Sequence, residues 1–538
     1  MTLSTSSPSS PRRNLRALVT ATAVLLASGV SHQIAQTHPP YHEPWRPQFH
    51  FSQPNLFMND PNGLVYHEGE WHLFYQSRPG GGIVWGHAVS RDLLHWDHLP
   101  VAIPRQADGK SIFSGSVVID KDNTSGFGST GNPAMVAIYT ASGQGSQSQA
   151  LAYSVDKGRT FTFYSGNPVI DIKASQFRDP KVFWFERTKR WVMVVAMPND
   201  HQVAIYGSSN LKNWDLLSKW GPLPPVGGQY EVPDLFPLNV DGDPSREKWV
   251  MIISTNPGGL WGGSLTAAYV GDFDGTTFKE DARYGGVVPS GTTAPDAERT
   301  PWFDWGKDNY AGITFDNAPD GRRLFVGWLN NWQYAQSNTV PTTAWWRGQQ
   351  SEPRELTLRT VNGQPQLFQV PLRELTTLRA GSTFDERNQS VTGERQLTAS
   401  GTVLDIEAAF RPQNASKFGL KVLTGPNGDE TVIGYDVAAR RLYIDRTKSG
   451  VAAASMNGFY GIHSAPLTLR DGTLNLRILV DNSIVEVFAE DGERVLTDLV
   501  YPAIGSNGLQ LFAEGGTAGI DALTIYQMRS IWPAAVSR

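Results

Sequence analysis

The strongest constraint on the fold of this chain is an internal repeat. From about residue 50 to about residue 355, short apolar strands alternate with Gly, Pro, Asn and Asp turns, and helical periodicity is weak. The outer part of each unit reads as a strand, a polar turn and an aromatic anchor, at 87–96, 151–161, 203–214 and 268–278, with a less regular fifth unit. Units of roughly 50 to 75 residues with about four strands each predict a five-bladed β-propeller.

Three of the units carry a carboxylate next to a proline at the head of a strand. Asp60 and Asp179 each directly precede a proline, and Glu231 lies two residues before one. Proline fixes its own φ and disfavours helical geometry in the preceding residue, so these turns are rigid. The innermost strand of every propeller blade lines the central channel, so equivalent positions lie at a similar height. We therefore expect the three carboxylates to face one another near the axis.

The rest of the chain divides into three further segments. Residues 1–36 are predicted to be an export segment, because Arg12, Arg13 and Arg16 precede an apolar run over 17–30. The paired arginines loosely resemble a twin-arginine signal, and the protein is expected to be secreted or periplasmic. After a propeller over 42–360, a linker with a short helix is expected over 361–381. Cleaner alternation over 382–538 predicts a β-sandwich that stabilises the propeller.

Composition excludes several classes of function. The 538 residues carry a net charge of −5 and no basic cluster, which argues against nucleic acid as a partner. There are no cysteines, which excludes disulfides and thiolate metal sites. No phosphate-binding loop and no zinc-protease motif occur, so no cofactor and no metal are expected. Apart from the export segment, no apolar run is long enough to cross a membrane.

Five motifs together resemble glycoside hydrolase family 32, which contains invertases, exo-inulinases and levanases. They occur in the family's order and span most of the chain: Met58 to Gly63, Trp85 to Ser90, Phe113 to Gly115, Arg178 to Pro180, and Glu231 to Leu235. Two neighbours of the carboxylates depart from the pattern. Phe57 stands where Trp is usual, and Val232 follows the glutamate where Cys is frequent. The resemblance implies a β-propeller followed by a β-sandwich.

The resemblance also implies a chemical role for each carboxylate. Hydrolysis of a glycosidic bond needs an acid for the leaving oxygen and a second carboxylate across the anomeric carbon. Asp60 is expected to be the nucleophile, Glu231 the general acid and base, and Asp179 the residue that holds the fructosyl hydroxyls, ionised beside Arg178. The configuration would be retained through a covalent fructosyl-enzyme, which requires Asp60 and Glu231 about 5–5.5 Å apart.

Other positions match residues that shape the family's site for a terminal fructosyl unit. They are Asn59, Gln76, Trp85, Phe113, Ser114, Arg178 and Trp332, with Tyr310 also expected near the site. The predicted activity is a β-fructofuranosidase that releases terminal fructose from levan, inulin and sucrose.

Three alternatives stay open on the sequence. A non-catalytic sugar-binding propeller would also use aromatic and acidic side chains, but it does not need three carboxylates at corresponding positions. Propellers of the arabinosidase or xylosidase type use three carboxylates in an inverting reaction, without the motif at 58–63. Fructosyl transfer to a sugar would use the same intermediate as hydrolysis. The preferred fructan and the oligomeric state are not fixed by these motifs.

Overall fold

A computed structural model describes residues 41–284, 299–336, 346–450 and 456–533. Within these ranges the regular structure is almost entirely β-strand, which confirms the predicted all-β class. Five short 3₁₀ turns interrupt it, at Pro79–Gly81, Glu186–Thr188, Pro198–Asp200, Ala282–Tyr284 and Arg373–Leu378. No helix in the described part has the length and apolar character to cross a bilayer. The expected export segment, residues 1–36, lies outside the described residues.

The first four blades are antiparallel sheets of consecutive strands. Blade 1 contains β1 (Leu56–His67), β2 (Glu70–Ser77), β3 (Val84–Ser90) and β4 (Trp96–Ile103). Blade 2 contains β5 (Ser111–Asp120), β6 (Ala134–Gly143), β7 (Ser146–Ser154) and β8 (Thr162–Phe163). Blade 3 contains β9 (Arg178–Phe185), β10 (Arg190–Met197), β11 (Gln202–Ser208) and β12 (Asp215–Trp220). Blade 4 contains β13 (Gln229–Asn239), β14 (Glu247–Asn256), β15 (Leu265–Phe273) and β16 (Phe278–Glu280).

Blade 5 is assembled less regularly. Its strands are β17 (Tyr310–Thr314), β18 (Arg323–Trp328), β20 (Arg354–Val361) and β21 (Gln364–Pro371), while the short β19 (Trp346–Arg347) pairs in parallel with β1. The first strands contact one another in the cyclic order β1, β5, β9, β13, β17 and back to β1. This closed ring confirms the five-bladed propeller.

The second strand of a blade shows why the sequence forms this fold. β10 reads as one continuous apolar run, and every residue between its two ends is buried. A strand covered on both faces loses the polar and apolar alternation of a half-exposed strand, because neighbouring blades pack against both of its sides. Aromatic and β-branched residues fill these positions since they fit a pleated, buried surface.

The predicted start of the linker, at residue 361, is wrong. Residues of β21 pair along their whole length with β20, so this stretch is the outer strand of blade 5. The turn at Asn362 and Gly363, both at positive φ, is a hairpin inside the blade and not a domain boundary. The short helix expected after residue 372 is present as the 3₁₀ turn Arg373–Leu378.

The C-terminal domain is the expected β-sandwich. Its strands are β22 (Arg379–Ser400), β23 (Val403–Arg411), β24 (Lys417–Thr424), β25 (Glu430–Asp436), β26 (Arg441–Lys448), β27 (Ile462–Pro466), β28 (Leu474–Asp481), β29 (Ile484–Ala489), β30 (Arg494–Leu499) and β31 (Gly508–Met528). The long β31 pairs with β24 through its first half and with β23 through its second half. One strand therefore belongs to both halves of the domain, and β22 follows it along most of its length.

Candidate active site

Each of the five inner strands has a β-bulge at the same end of the channel. In every case two residues on the inner strand lie opposite one residue on its partner. In β1 the pair is Asn59 and Asp60, opposite Gln76. Bulges bend a strand and redirect its side chains, and they are common beside active sites. Asp60, Ser114 and Asp179 lie within their bulges, and Glu231 and Tyr310 directly precede theirs.

Local sequence explains three of these bulges. Proline has no N–H to donate to the ladder, so within sheets it favours bulges and edges. Pro180 and Pro233 lie inside the bulges of β9 and β13, and Pro61 follows the bulge of β1. Asp179 and Val232 also have positive φ values of 66° and 47°, which are unusual for residues with a side chain. Backbone strain of this kind persists where the surrounding structure holds it.

Asp60 is buried and surrounded by hydrogen-bond donors. Its Oδ2 accepts from Ser114 Oγ at 2.5 Å and from Gln76 Nε2 at 3.3 Å, and its Oδ1 accepts from Asn59 Nδ2 at 3.1 Å. Burial raises the pKa of Asp60 to about 6, with the hydrogen bond from Ser114 opposing the shift and the charge of Glu231 adding to it. Both oxygens are thus fixed in direction, while no cation among the described residues forms a direct ion pair with this carboxylate.

Asp179 is held by the neighbouring strands. Its N–H donates to Thr140 Oγ1 at 2.9 Å, and its Oδ2 accepts from the Val232 N–H at 3.1 Å. Burial raises the pKa of Asp179 to about 8, although the charge of Arg178 opposes this shift. Arg178 Nε lies 3.8 Å from Asp179 Oδ2. The pocket therefore favours a protonated Asp179, whereas the sequence led us to expect an ionised Asp179 beside Arg178.

Glu231 lies between a cation and a phenol. Its Oε1 accepts from Arg178 Nε at 3.2 Å and from Arg178 Nη2 at 3.0 Å, and its Oε2 accepts from the Tyr310 hydroxyl. Its side chain is 21% exposed, whereas that of Asp179 is 4% exposed. Glu231 is therefore more open to solvent than Asp179.

Most of the predicted site residues meet in this pocket. Asn59, Gln76 and Ser114 contact Asp60, and Arg178 and Tyr310 contact Glu231. Every blade supplies at least one side chain, with Asp60 from β1, Ser114 from β5, Asp179 from β9, Glu231 from β13 and Tyr310 from β17. The described residues include no group of three or more His, Asp or Glu side chains arranged to hold a metal ion.

One predicted contact is wrong, and two others lie at the edge of the pocket. Trp85 has no exposed surface and packs in the core beside Phe74 and Tyr139. It supports the site indirectly, because its Nε1 donates to the Phe113 carbonyl at 3.0 Å. Phe113 is half-buried, and Trp332 stacks on Phe57 with ring centroids 6.0 Å apart.

Sequence reasoning missed Arg78. Its guanidinium lies 4.8 Å from the Phe57 ring centroid and 5.8 Å from that of Trp332, and its buried Nε has no hydrogen-bond partner. Burial lowers the pKa of Arg78, while the negative charge of Asp60 raises it. The two side chains therefore interact electrostatically. Its position two residues after Gln76 was the available signal.

A second missed group fixes Arg178. Its Nη2 donates to Gln229 Oε1 at 2.7 Å, and its Nη1 donates to Gln147 and Gln176. Glutamines are common in surface strands, so nothing in the sequence distinguished these three. Together they orient the guanidinium toward Glu231.

Comparison with known proteins agrees with this geometry. Residues 50–371 match the model of the glycosyl hydrolases family 32 N-terminal domain, and residues 374–527 match that of the family 32 C-terminal domain. A levanase from Bacillus subtilis is 44% identical over 505 residues, which cover 91% of this chain and 72% of that protein. An extracellular exo-inulinase from Aspergillus niger is 38% identical over 551 residues, covering 96% of this chain and 99% of the relative.

Solved structures give the same result. The crystal structure of exo-inulinase from Aspergillus awamori superposes with a TM-score of 0.85 at 37% identity, covering 91% of this chain and all of that one. The fructofuranosidase from Schwanniomyces occidentalis complexed with fructose has a TM-score of 0.81 at 33% identity, covering 91% of this chain. A carboxylate pocket on the propeller axis, both family domains and these relatives lead to one conclusion: the chain belongs to glycoside hydrolase family 32 and is a glycoside hydrolase.

Proposed function

We propose that this enzyme is a retaining, exo-acting β-fructofuranosidase that removes terminal fructose from levan, inulin and sucrose. The observation that carries the proposal is the difference in surroundings among three neighbouring carboxylates. Asp60 has hydrogen-bond donors on both oxygens and no direct ion pair, whereas Glu231 is paired and partly exposed. One group is suited to attack carbon, and the other to carry a proton.

In the first step an Asp60 oxygen attacks C2 of the fructosyl unit while Glu231 protonates the departing glycosidic oxygen. The C2–O bond to the leaving sugar breaks as the bond to Asp60 forms. In the second step Glu231 removes a proton from water, which attacks C2 and releases Asp60. Asp179 holds ring hydroxyls, through hydrogen bonds that strengthen as positive charge develops on the sugar.

Tyr310 is suited to assist the change of protonation on Glu231. Glu231 Oε1 accepts from Arg178, and Glu231 Oε2 accepts from the Tyr310 hydroxyl. A phenol hydroxyl both donates and accepts. When Glu231 takes up its proton, rotation of the Tyr310 hydroxyl lets the new O–H be accepted without an unpaired group in the pocket.

The substrate class is supported by the relatives. Those named above are called levanase and exo-inulinase, and each matches over most of this chain. The Aspergillus enzyme is described as extracellular, which supports the proposal that this chain is secreted or periplasmic and that residues 1–36 direct its export.

Product analysis tests the substrates and the mode of attack. The protein is incubated separately with sucrose, inulin and levan, and sugars are identified over time. Fructose as the only early product from the polymers supports exo action, while early mixed oligosaccharides would contradict it. Fructosylated sucrose in large excess over free fructose would instead identify a transferase.

Trapping with methanol tests the stereochemistry. A retaining reaction transfers the fructosyl group to methanol as the β-methyl fructoside, which proton and carbon NMR identify before equilibration. Formation of the α-anomer would exclude the covalent intermediate on Asp60. An Asp60–Glu231 carboxyl separation of about 5–5.5 Å in a crystal structure is the matching geometric check.

A further inference from the structure

A second cavity lies at the opposite end of the propeller channel from the carboxylates. Its volume is about 490 Å³, and it is lined by residues from the far ends of the inner strands, including Ile119, Phe183 and Phe236. On β9, Phe183 follows Asp179 by four residues, which corresponds to about 13 Å along a strand. We call this space the far-end cavity.

A buried polar network separates the far-end cavity from the active site. Lys181 Nζ lies 3.6 Å from Asp234 Oδ2 and donates to the Thr314 carbonyl. The Thr314 N–H and Oγ1 donate to the same Asp234 oxygen at 2.7 and 2.8 Å. Each of the three lies two to four residues after the active-site residue of its own strand, on the side of the far-end cavity.

Asp234 lies at the floor of the far-end cavity and is fully buried. Among the described residues, none donates a hydrogen bond to its Oδ1. A buried carboxylate oxygen without a donor is unfavourable, because its lost contact with water is not replaced. The floor of the cavity is therefore polar.

Two aromatic side chains of β9 line the far-end cavity from opposite faces of the strand. Phe183 and Trp184 are half-buried, and Trp184 Nε1 donates to Glu186 Oε2 at 2.7 Å. The Trp184 ring also meets Trp191 edge-on, with centroids 5.1 Å apart. A ring held by a hydrogen bond and by a second ring offers an ordered apolar face for a sugar to stack against.

The charges around the far-end cavity nearly cancel. Four basic and five acidic side chains line it, so neither an anion nor a cation is favoured overall. Its volume lies within the range typical of small-molecule sites. Balanced charge, many hydrogen-bonding groups and aromatic faces are complementary to a neutral polyhydroxylated ligand.

We propose that the far-end cavity is a second, non-catalytic carbohydrate site that binds a short segment of neutral oligosaccharide. Such a site would hold a polymeric substrate on the enzyme while a chain end is cleaved at the other end of the channel. The choice of a fructan as its ligand rests on the proposed function, whereas the site itself does not take part in hydrolysis.

Calorimetric titration with a short inulin-type fructan tests this site. The Asp60→Asn variant, which does not consume the ligand, is expected to bind two molecules, and the Asp60→Asn/Trp184→Ala variant only one. One molecule bound by both variants would overturn the proposal. Failure of the proposed function would show separately, as a lack of fructose release by the unmodified protein.

Kinetics give a second measurement. Trp184→Ala in the otherwise unmodified enzyme is expected to raise KM for long levan or inulin about 3- to 10-fold and to leave sucrose hydrolysis unchanged. If that variant does not fold, Lys121→Trp, at the exposed rim of the far-end cavity, blocks the entrance without removing core packing. An unchanged KM for polymer in a folded variant of either kind would contradict the proposal.

Discussion

Buried carboxylates in two regions of this molecule have opposite acidities. At the interface between the propeller and the sandwich, Glu486 accepts from Arg354 Nη2 at 2.6 Å and contacts His50 Nε2 at 3.0 Å. Burial would raise its pKa, but the charge of Arg354 and the contact with His50 outweigh burial and lower it to about 2. In the active site, burial raises the pKa of Asp60 to about 6.

The difference between the two pKa values comes from the neighbouring charges and not from burial. Both carboxylates are enclosed, but Glu486 has a full cation in direct contact, whereas Asp60 shares its pocket with two other carboxylates. A paired buried carboxylate joins two domains, while an underpaired one is kept reactive and makes the fold less stable. The same residue class thus serves stability in one place and chemistry in the other.

The largest expected effect comes from removing the reactive carboxylate. Asp60→Asn should lower kcat by roughly 10⁴-fold or more, because no other group in the pocket replaces the nucleophile. It should also raise the free energy of unfolding at neutral pH by about 1–3 kcal/mol, since a buried charge that is hard to ionise is gone. Turnover assays and denaturant titration measure the two effects. Near-normal turnover would remove Asp60 from the mechanism.

Removing the interface cation should mainly affect stability and not activity. Arg354 is fully buried and also donates to Asp304 Oδ2 at 2.9 Å. Arg354→Met removes the cation from Asp304 and leaves Glu486 with His50 as its remaining ion-pair partner, so it should destabilise the fold by about 3–5 kcal/mol. The matched control is Arg359→Met, since Arg359 is 39% exposed and lies 3.8 Å from Asp491, and its loss should have an effect below about 1 kcal/mol. Equal destabilisation by both variants would refute the distinction.

Activity and stability should be lost at different pH values as the solution is acidified. Activity should fall as the pH drops through about 6, because the raised pKa of Asp60 means that the nucleophile is protonated there. Glu486 has a lowered pKa, so its contribution to stability is present above about 4.5 and is lost only as the pH falls toward 2. Between pH 6 and pH 4.5 the enzyme should therefore be inactive but folded. Circular dichroism and recovery of activity at pH 7 provide the check.

Alkali should weaken the interface between the propeller and the sandwich. Burial would lower the pKa of His50, but hydrogen bonds with Asp481 and Glu486 outweigh burial and raise it to about 10. The stability that His50 contributes is present below about pH 6.5 and is lost as the pH rises through 10. The free energy of unfolding should decline over this range, and the decline should be smaller in His50→Gln. An identical alkaline slope in the two proteins would argue against a charged His50.

The smallest expected effect concerns Arg78 at the pocket edge. Arg78→Ala should raise KM about 10-fold, equivalent to about 1.4 kcal/mol, because a charged donor near Asp60 is lost to the substrate. Arg78→Lys should recover part of this if charge matters and none if stacking on Phe57 and Trp332 does. Arg387→Ala, in the sandwich domain, is the control for loss of an exposed arginine. Unchanged KM in Arg78→Ala would exclude substrate contact.

The amino-acid sequence predicted the repeat, the five blades and the three carboxylates. It did so because three of the units carry a rigid turn with an acid close to a proline, and repetition places equivalent residues around one axis. It also predicted Asn59, Gln76 and Ser114 through the family resemblance, and Tyr310 as a residue near the site.

The orientation and the partners of those groups could be seen only in the folded protein. Trp85 faces the core and not the pocket, because a strand inside a blade has no open face. The pairing of β21 with β20, the bulge shared by all five inner strands and the guanidinium of Arg78 beside Phe57 all depend on partners distant in the chain. The pKa values of the carboxylates also depend on the folded structure. They are set by burial and by the charges that folding brings into contact, and no local sequence pattern predicts those contacts.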